Sequence, residues 1–477
     1  MTGRGRFLRG SVWSAGAVFF SMAALLAVGK LVTNAFHPQV VGVFALLLVC
    51  SDCLTLALGL GLPASMPKLA AETAGEGRRI LNASVLLLQL CVVLAGAAVV
   101  LGVWALRHPL SGVIPEKWQG ALALAWLLPP LFCVAAFRDL LLAMLAGMDR
   151  YASRAAAMML AALLQAALVG AIVWHRGWGV EALMLALTAA YGCEVLLAAA
   201  AANRETGMRP SFRTAAGAVR FSAPLYANQM LNFVSQRSDT LLAGLLLGLA
   251  PAAVLEMVKR LPMMITRVLG AALTPYLPHM TRHVASGDFE AAGLLAGRTA
   301  RLSAFLGYGG ALCVMAVREP LIVLLFSADY LSGATVLVLL LAAAVLALQA
   351  GVSGQALIAL GRGVSVTVIN SAAVAAGLAA NLALIPLLGL PGAGCAALCA
   401  MAANDLLQTA HLRRCGVPLP VRDALLPHAA FAAPALLMLV PGWWARPLSL
   451  AFFIAIAFAL RVVGAGEIRD AAGFGKG

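Results

Sequence analysis

Between residues 221 and 239 the chain reads Phe221-Ser-Ala-Pro-Leu-Tyr-Ala-Asn-Gln-Met-Leu-Asn-Phe-Val-Ser-Gln-Arg-Ser-Asp239, inside an otherwise apolar stretch. Gln229, Asn232, Gln236 and Asp239 fall at i, i+3, i+7 and i+10, which predicts one face of a helix. Amides along a water-filled cavity suit a sugar chain, which offers many hydroxyl donors and acceptors. The plainer alternative is hydrogen bonding between neighbouring helices, worth about 0.6 kcal/mol per pair. Pro224 breaks the hydrogen-bond ladder early in this helix and is a candidate hinge, as are the kinks expected at Pro129-Pro130, Pro262, Pro275 and Pro278.

Cations accompany the stripe. Arg237 lies near one end of it, and Lys30, shifted by about 211 residues, lands one helical turn from Arg237. Together they could hold a diphosphate, Arg through bidentate bonds and Lys as a point charge. Otherwise they snorkel to the surface, or Arg237 pairs with a nearby acid. Glu256 and Arg260 stand at i, i+4, the favourable order for an ion pair. Lys259 and Arg267, left over from that pairing, are the better candidates for substrate charge.

The acids suggest a second chemistry. Asp52, Asp139 and Glu194 lie in apolar stretches, and Asp239 belongs to the stripe itself. A carboxylate held away from water can exchange a proton or hold a sodium ion, so each is a candidate for ion coupling. Arg138 and Asp139 are adjacent and are expected to point about 100° apart without neutralising each other.

What positions these residues is a membrane. The 477 residues are 62% hydrophobic and 11% charged, and apolar runs of about 20 residues follow one another almost without interruption. Spans are expected near 11–33, 40–62, 81–105, 120–146, 155–175, 180–202, 217–241, 250–278, 300–317, 334–354, 364–386, 392–411, 425–440 and 447–464, fourteen in all. The chain also repeats itself loosely: Arg107-His-Pro-Leu110 returns as Arg318-Glu-Pro-Leu321, Pro67 as Pro278, Gly75 as Gly287, and Gly177 as Gly389. Six spans per copy keep the two copies in one orientation, an arrangement found among secondary transporters. The expected division is therefore 1–210, 211–415 and a two-helix extension, 416–477.

The net charge of +14 does not point to nucleic acid, because with the N-terminus inside nearly all the excess falls in cytoplasmic segments, as the positive-inside rule requires. Both termini are then cytoplasmic. Nine cysteines lie mostly in apolar runs, and Cys50 and Cys53 lack partners for a metal site, so packing is their expected role. Arg4, Arg6 and Arg9 before an apolar run resemble a signal peptide and are expected to open an uncleaved first helix. The glycine-rich tail, Gly473 to Gly477, lacks the spacing of a phosphate loop. No cofactor is expected beyond coupling to H+ or Na+, or the membrane potential.

Taken in order, several local patterns resemble one family. They are Pro38-Gln-Val-Val-Gly42-Val-Phe44; Leu58-Gly-Leu-Gly-Leu62 running into Lys68 to Glu72; Pro224 followed by Asp239-Thr-Leu-Leu-Ala-Gly244; Tyr276-Leu-Pro278; Phe326-Ser-Ala-Asp-Tyr330; Ala359-Leu-Gly361; and Asn381 before Gly389 to Gly394. The chain resembles the polysaccharide flippase branch of the multidrug/oligosaccharidyl-lipid/polysaccharide (MOP) exporter superfamily. The resemblance implies an all-α polytopic protein with two pseudo-symmetric six-helix bundles in a V, as in drug exporters of the MATE type, plus two C-terminal helices. It implies a cavity lined by spans 1, 2, 7 and 8, and transport of an undecaprenyl-diphosphate-linked oligosaccharide across the bacterial inner membrane. Expected partners are that lipid-linked sugar, membrane lipids, a polysaccharide polymerase and glycosyltransferases. The motifs of peptidoglycan-precursor flippases are missing from the first two spans, which argues against lipid II. A MATE-type drug or cation antiporter is the alternative, although it would stop at twelve helices. A membrane glycosyltransferase would need larger outer loops than this chain has.

Overall fold

In a lipid phase the backbone has no solvent to bond, so long runs of Leu, Ala and Val satisfy their amides internally as helices. The computed structural model follows that rule. It describes residues 3–106, 122–175, 178–207, 209–273, 276–419, 421–438 and 445–459; Arg107 to Gln119, Gly177, Pro275 and the glycine-rich tail lie outside them. Every regular element among the described residues is helical.

The chain forms two compact units, one of residues 1–254 with 325–327 and one of 255–324 with 328–477. The first contains α1 (Gly3–Ala35), α2 (Pro38–Leu58), α3 (Leu62–Glu72), α4 (Gly75–Ala105), α5 (Leu128–Gly147), α6 (Tyr151–His175), α7 (Val180–Ala202), α8 (Phe212–Leu246) and the start of α9 (Leu249–Val258). The second contains the end of α9, then α10 (Arg260–Ala272), α11 (Tyr276–Ala285), α12 (Phe289–Ala316), α13 (Arg318–Leu325), α14 (Ala334–Ala359), α15 (Gly363–Leu388), α16 (Leu390–Arg414), α17 (Val421–Leu437) and α18 (Ala445–Ala459).

Among the described residues nine helices are long and apolar enough to cross a membrane, ten if α12 and α13, which meet at a 76° bend, are one span. Three places account for the difference from fourteen. Helix α8 has 35 residues but carries the polar stripe. The eighth stretch is divided at Lys259, so Glu256 and Arg260 stand on successive helices rather than on one. Helices α17 and α18 have 17 and 15 described residues, α17 starting and α18 both starting and ending next to positions outside the described set. Pro129 and Pro130 do not kink a helix as expected: they occupy the first turn of α5, where a missing N–H costs nothing.

In the first unit Leu62, Met66, Val85, Leu140, Met144 and Leu145 form a core where α3, α4 and α5 meet. In the second, Met280, Ala292, Ala296, Val352, Ala356 and Leu412 do the same for α11, α12, α14 and α16. Alanine-rich contacts of this kind let membrane helices approach closely, where apolar burial alone would not favour protein over lipid. The carboxylate of Glu205 faces both Arg78 and Arg150, at 3.7 and 3.8 Å. Asn82 Nδ2 donates to the Glu205 carbonyl at 2.8 Å, and these contacts fasten the link before α8 to α4.

The turn between α2 and α3 seats α8. Gly61 has φ +72°, and a Cβ built there would lie 2.8 Å from Tyr226 Cβ and 2.9 Å from the Ser222 carbonyl oxygen. On either side of it Tyr226 Oη donates to the Ala57 carbonyl at 3.3 Å, and the Ser65 and Ser222 hydroxyls meet at 2.6 Å. Gly61→Ala therefore adds both backbone strain, about 1–3 kcal/mol, and a steric conflict with α8. The thermal midpoint of the purified protein is expected to fall clearly; an unchanged midpoint would show that α8 does not depend on this approach.

Candidate functional site

Because α8 is held against the α2–α3 turn, its polar stripe faces a cavity of about 320 Å³ in the first unit. Helix α8 contributes Gln229, Asn232, Phe233, Gln236 and Arg237; α2 contributes Asp52, Thr55 and Leu56; α5 contributes Ala135, Arg138 and Asp139; Gly59, Gly61 and Pro63 close one side. The Thr55 hydroxyl and the Gln229 side-chain oxygen are buried without a hydrogen-bond partner among the described residues. Buried polar atoms are rarely left so, which marks the wall as suited to a polar guest.

Two ion pairs line the same space. Arg237 donates to Asp52 Oδ2 at 2.7 Å across the gap between α8 and α2, with the two side chains 26% and 47% exposed. The structure thus joins a candidate substrate cation to a candidate coupling acid. Arg138 donates from Nε and Nη2 to Asp139 Oδ1 at 2.9 and 2.7 Å. That corrects the expectation that these neighbours would not neutralise each other. The 100° rule describes Cβ directions, and the long arginine stem bends back across that angle.

Arg138 also stacks on the Tyr191 ring, 3.9 Å from its centroid, a cation–π contact. One turn further along α7, Glu194 is 6% exposed and lies within the electrostatic reach of Arg138, Asp139 and Arg154. The cavity charges therefore balance, two arginines against two aspartates, with a third acid behind them.

The remaining sequence candidates are placed elsewhere. Asp239, at the end of the stripe, is buried, and its Oδ1 accepts from the Thr240 amide at 2.7 Å. Lys30 donates to the Phe326 carbonyl at 2.7 Å, tying α1 to residues 325–327. Lys259 and Arg267 belong to the second unit. Arg138 and Tyr191 were not among the sequence candidates as binding residues. Arg138 could have been found, since an arginine in an apolar stretch is as costly as an acid there; Tyr191 leaves no such trace. All nine cysteines are free, and among the described residues no cluster of His, Cys, Asp and Glu could hold a metal ion.

Residues 90–335, just over half the chain, match the family described as polysaccharide biosynthesis protein. The chain belongs to this polysaccharide biosynthesis family. Solved structures agree on the fold. The lipid II flippase MurJ, in an inward closed conformation, superposes with a TM-score of 0.70 at 10% identity, covering 95% of this chain and 98% of that one. An outward-facing multidrug resistance MATE transporter of the MOP superfamily gives 0.60 at 15% identity, covering 86% and 95%. A MOP superfamily transporter from Pyrococcus furiosus, whose binding pocket is described as having reverse polarity, gives 0.58 at 15% identity, covering 86% and 96%. No curated protein matches by sequence. The fold is thus that of the MurJ and MATE transporters, embedded in a membrane through multiple apolar helices.

Proposed function

We propose that this chain is a flippase that moves an undecaprenyl-diphosphate-linked oligosaccharide across the bacterial inner membrane for surface polysaccharide synthesis, by alternating access of residues 1–210 and 211–415. The observation that carries this reading is the cavity in which three amides, Gln229, Asn232 and Gln236, stand beside Arg237. Amides exchange hydrogen bonds with sugar hydroxyls, while guanidinium groups recognise diphosphate oxygens in bidentate fashion. The family's role in polysaccharide synthesis supports it. So does the longer match to the flippase, 95% of the chain against 86% for the drug exporter, a difference of about two helices.

The Arg237–Asp52 pair gives this reading a mechanism. A diphosphate entering the cavity offers Arg237 more charge than one carboxylate does, so the guanidinium transfers to it and its bond to Asp52 is lost. Losing that cation favours uptake of a proton or a sodium ion by Asp52, which links substrate and ion through competition for Arg237. Lys30, Lys259 and Arg267 are further contacts for the head group, and Asp139, Glu194 and Asp239 further coupling acids. Both termini are cytoplasmic in this scheme, and a polymerase and glycosyltransferases act after and before the flippase.

Proteoliposomes loaded with a polyprenyl-diphosphate oligosaccharide test the proposal, with leaflet exposure read by an impermeant sugar-oxidising reagent. Movement of the lipid-linked sugar that depends on the protein is the expected result. Protein-dependent ethidium transport with a stationary sugar lipid would instead support a drug antiporter.

A further inference from the structure

A second group of titratable side chains lies in the other unit, far in sequence from the residues above. His428 on α17 places Nε2 3.1 Å from Asp405 Oδ2 on α16, and its Nδ1 meets the Tyr308 hydroxyl on α12 at 2.5 Å. Asp405 and Tyr308 are buried, at 6% and 2% exposed. Tyr308 stacks on Phe431, one turn beyond His428, with ring centroids 4.1 Å apart. Buried Ala430, packed by Phe305, Leu426 and Ile456, seals the neighbouring layer. Three helices therefore converge on one imidazole in apolar surroundings.

We propose that Tyr308, Asp405 and His428 form a proton-binding site that clasps α17 to α12 and α16 within the second unit. The geometry accepts one proton without moving a heavy atom. With a neutral ring, Nε2–H donates to the Asp405 carboxylate and the Tyr308 O–H donates to Nδ1. When a proton binds Nδ1, that nitrogen becomes the donor, the tyrosine oxygen accepts, and the phenolic hydrogen rotates away. The group then changes from one net negative charge to none, so proton binding removes an uncompensated charge from among the helices.

Among the described residues the titratable groups in contact with His428 are Tyr308 from α12 and Asp405 from α16. On α18 the nearest cation, Arg446, is held by Glu319 of α13, and Arg318 donates to the Met438 carbonyl beyond the end of α17. The other described side chains of α17 carry no titratable group. Asp405 is also joined to the bundle through its own helix. Gln408 donates to Asn370 on α15 and to Asn404 at 2.8 and 3.0 Å, and the Thr409 hydroxyl meets Ser353 on α14 at 2.9 Å. The charge on the clasp thus bears on a helix bonded to two others.

The test uses the purified full-length protein and needs no substrate. Infrared difference spectra between about pH 5 and about pH 8, which bracket ordinary imidazole titration, should contain carboxyl and imidazole bands that disappear in both Asp405→Asn and His428→Gln. The pH dependence of the thermal midpoint should flatten in His428→Gln. Folded variants with wild-type difference spectra and wild-type pH dependence would overturn the proposal. Should His428→Gln fail to fold, Tyr308→Phe removes one oxygen and keeps the ring against Phe431. It should move the pH midpoint of the same bands, and an unmoved midpoint would equally overturn the site.

Discussion

Replacing Arg237 by alanine is expected to abolish surface polysaccharide while leaving the amount of protein in the membrane unchanged. The two halves of that result have separate causes. Arg237 and Asp52 are both partly open to the cavity, at 26% and 47% exposed, and exposed ion pairs contribute about 0–1 kcal/mol. Losing the pair should therefore hardly affect folding. The proposed contact with substrate is different, because a hydrogen bond to a charged group contributes about 1.5–3 kcal/mol. Its loss weakens head-group binding by about 10- to 150-fold. Arg237→Lys keeps the charge, loses the bidentate fork, and should fall between the two. The companion variants Asp52→Asn and Asp52→Asn/Arg237→Ala separate the roles. Asp52→Asn should reduce transport and weaken its dependence on the ion gradient, while the double variant should be as inactive as Arg237→Ala. Normal polymer from Arg237→Ala, or recovery in the double variant, would remove Arg237 from substrate binding and leave it as half of a structural pair.

Much of this site was legible one helix at a time. The spacing of Gln229, Asn232 and Gln236 depends only on helical periodicity, and the structure places all three on one cavity wall. Asp239, the fourth position of the stripe, is not in the cavity lining, and its Oδ1 accepts from the Thr240 amide. The division of α9 from α10 at Lys259 follows from Pro262, one of the kinks expected from sequence: its ring and missing N–H act four residues back, on the Val258 carbonyl where α9 ends. What sequence could not supply was the pairing of helices. Asp52 and Arg237 are 185 residues apart and Tyr308 and His428 are 120 apart, and no periodicity links them. The polar composition of α8 was informative in a different way. It keeps a 35-residue helix out of the set that passes as apolar, and that same polarity lines the cavity.

Arg138→Met should fail in the opposite manner from Arg237→Ala, by destabilising the protein. Arg138 makes two bonds to Asp139, covers the Tyr191 ring and offsets the charge of Glu194. Methionine keeps much of the volume and removes all of the charge. Breaking a fully buried pair costs about 3–5 kcal/mol. Here Asp139 is 37% exposed, so about 2–3 kcal/mol is expected on the same principle. That is enough to lower the thermal midpoint and the abundance of the protein together. Adding Asp139→Asn removes the carboxylate that lost its partner, so the double variant should regain stability over Arg138→Met alone, and Arg138→Met/Glu194→Gln should regain part of it. A thermal melt of the single and double variants, read beside surface polymer, decides the matter. If Arg138→Met keeps its midpoint and loses polymer, with no recovery in either double variant, Arg138 is a second substrate cation. If stability falls and returns as described, Arg138 instead organises the carboxylates of α5 and α7, and Arg237 is left as the cavity's exchangeable cation.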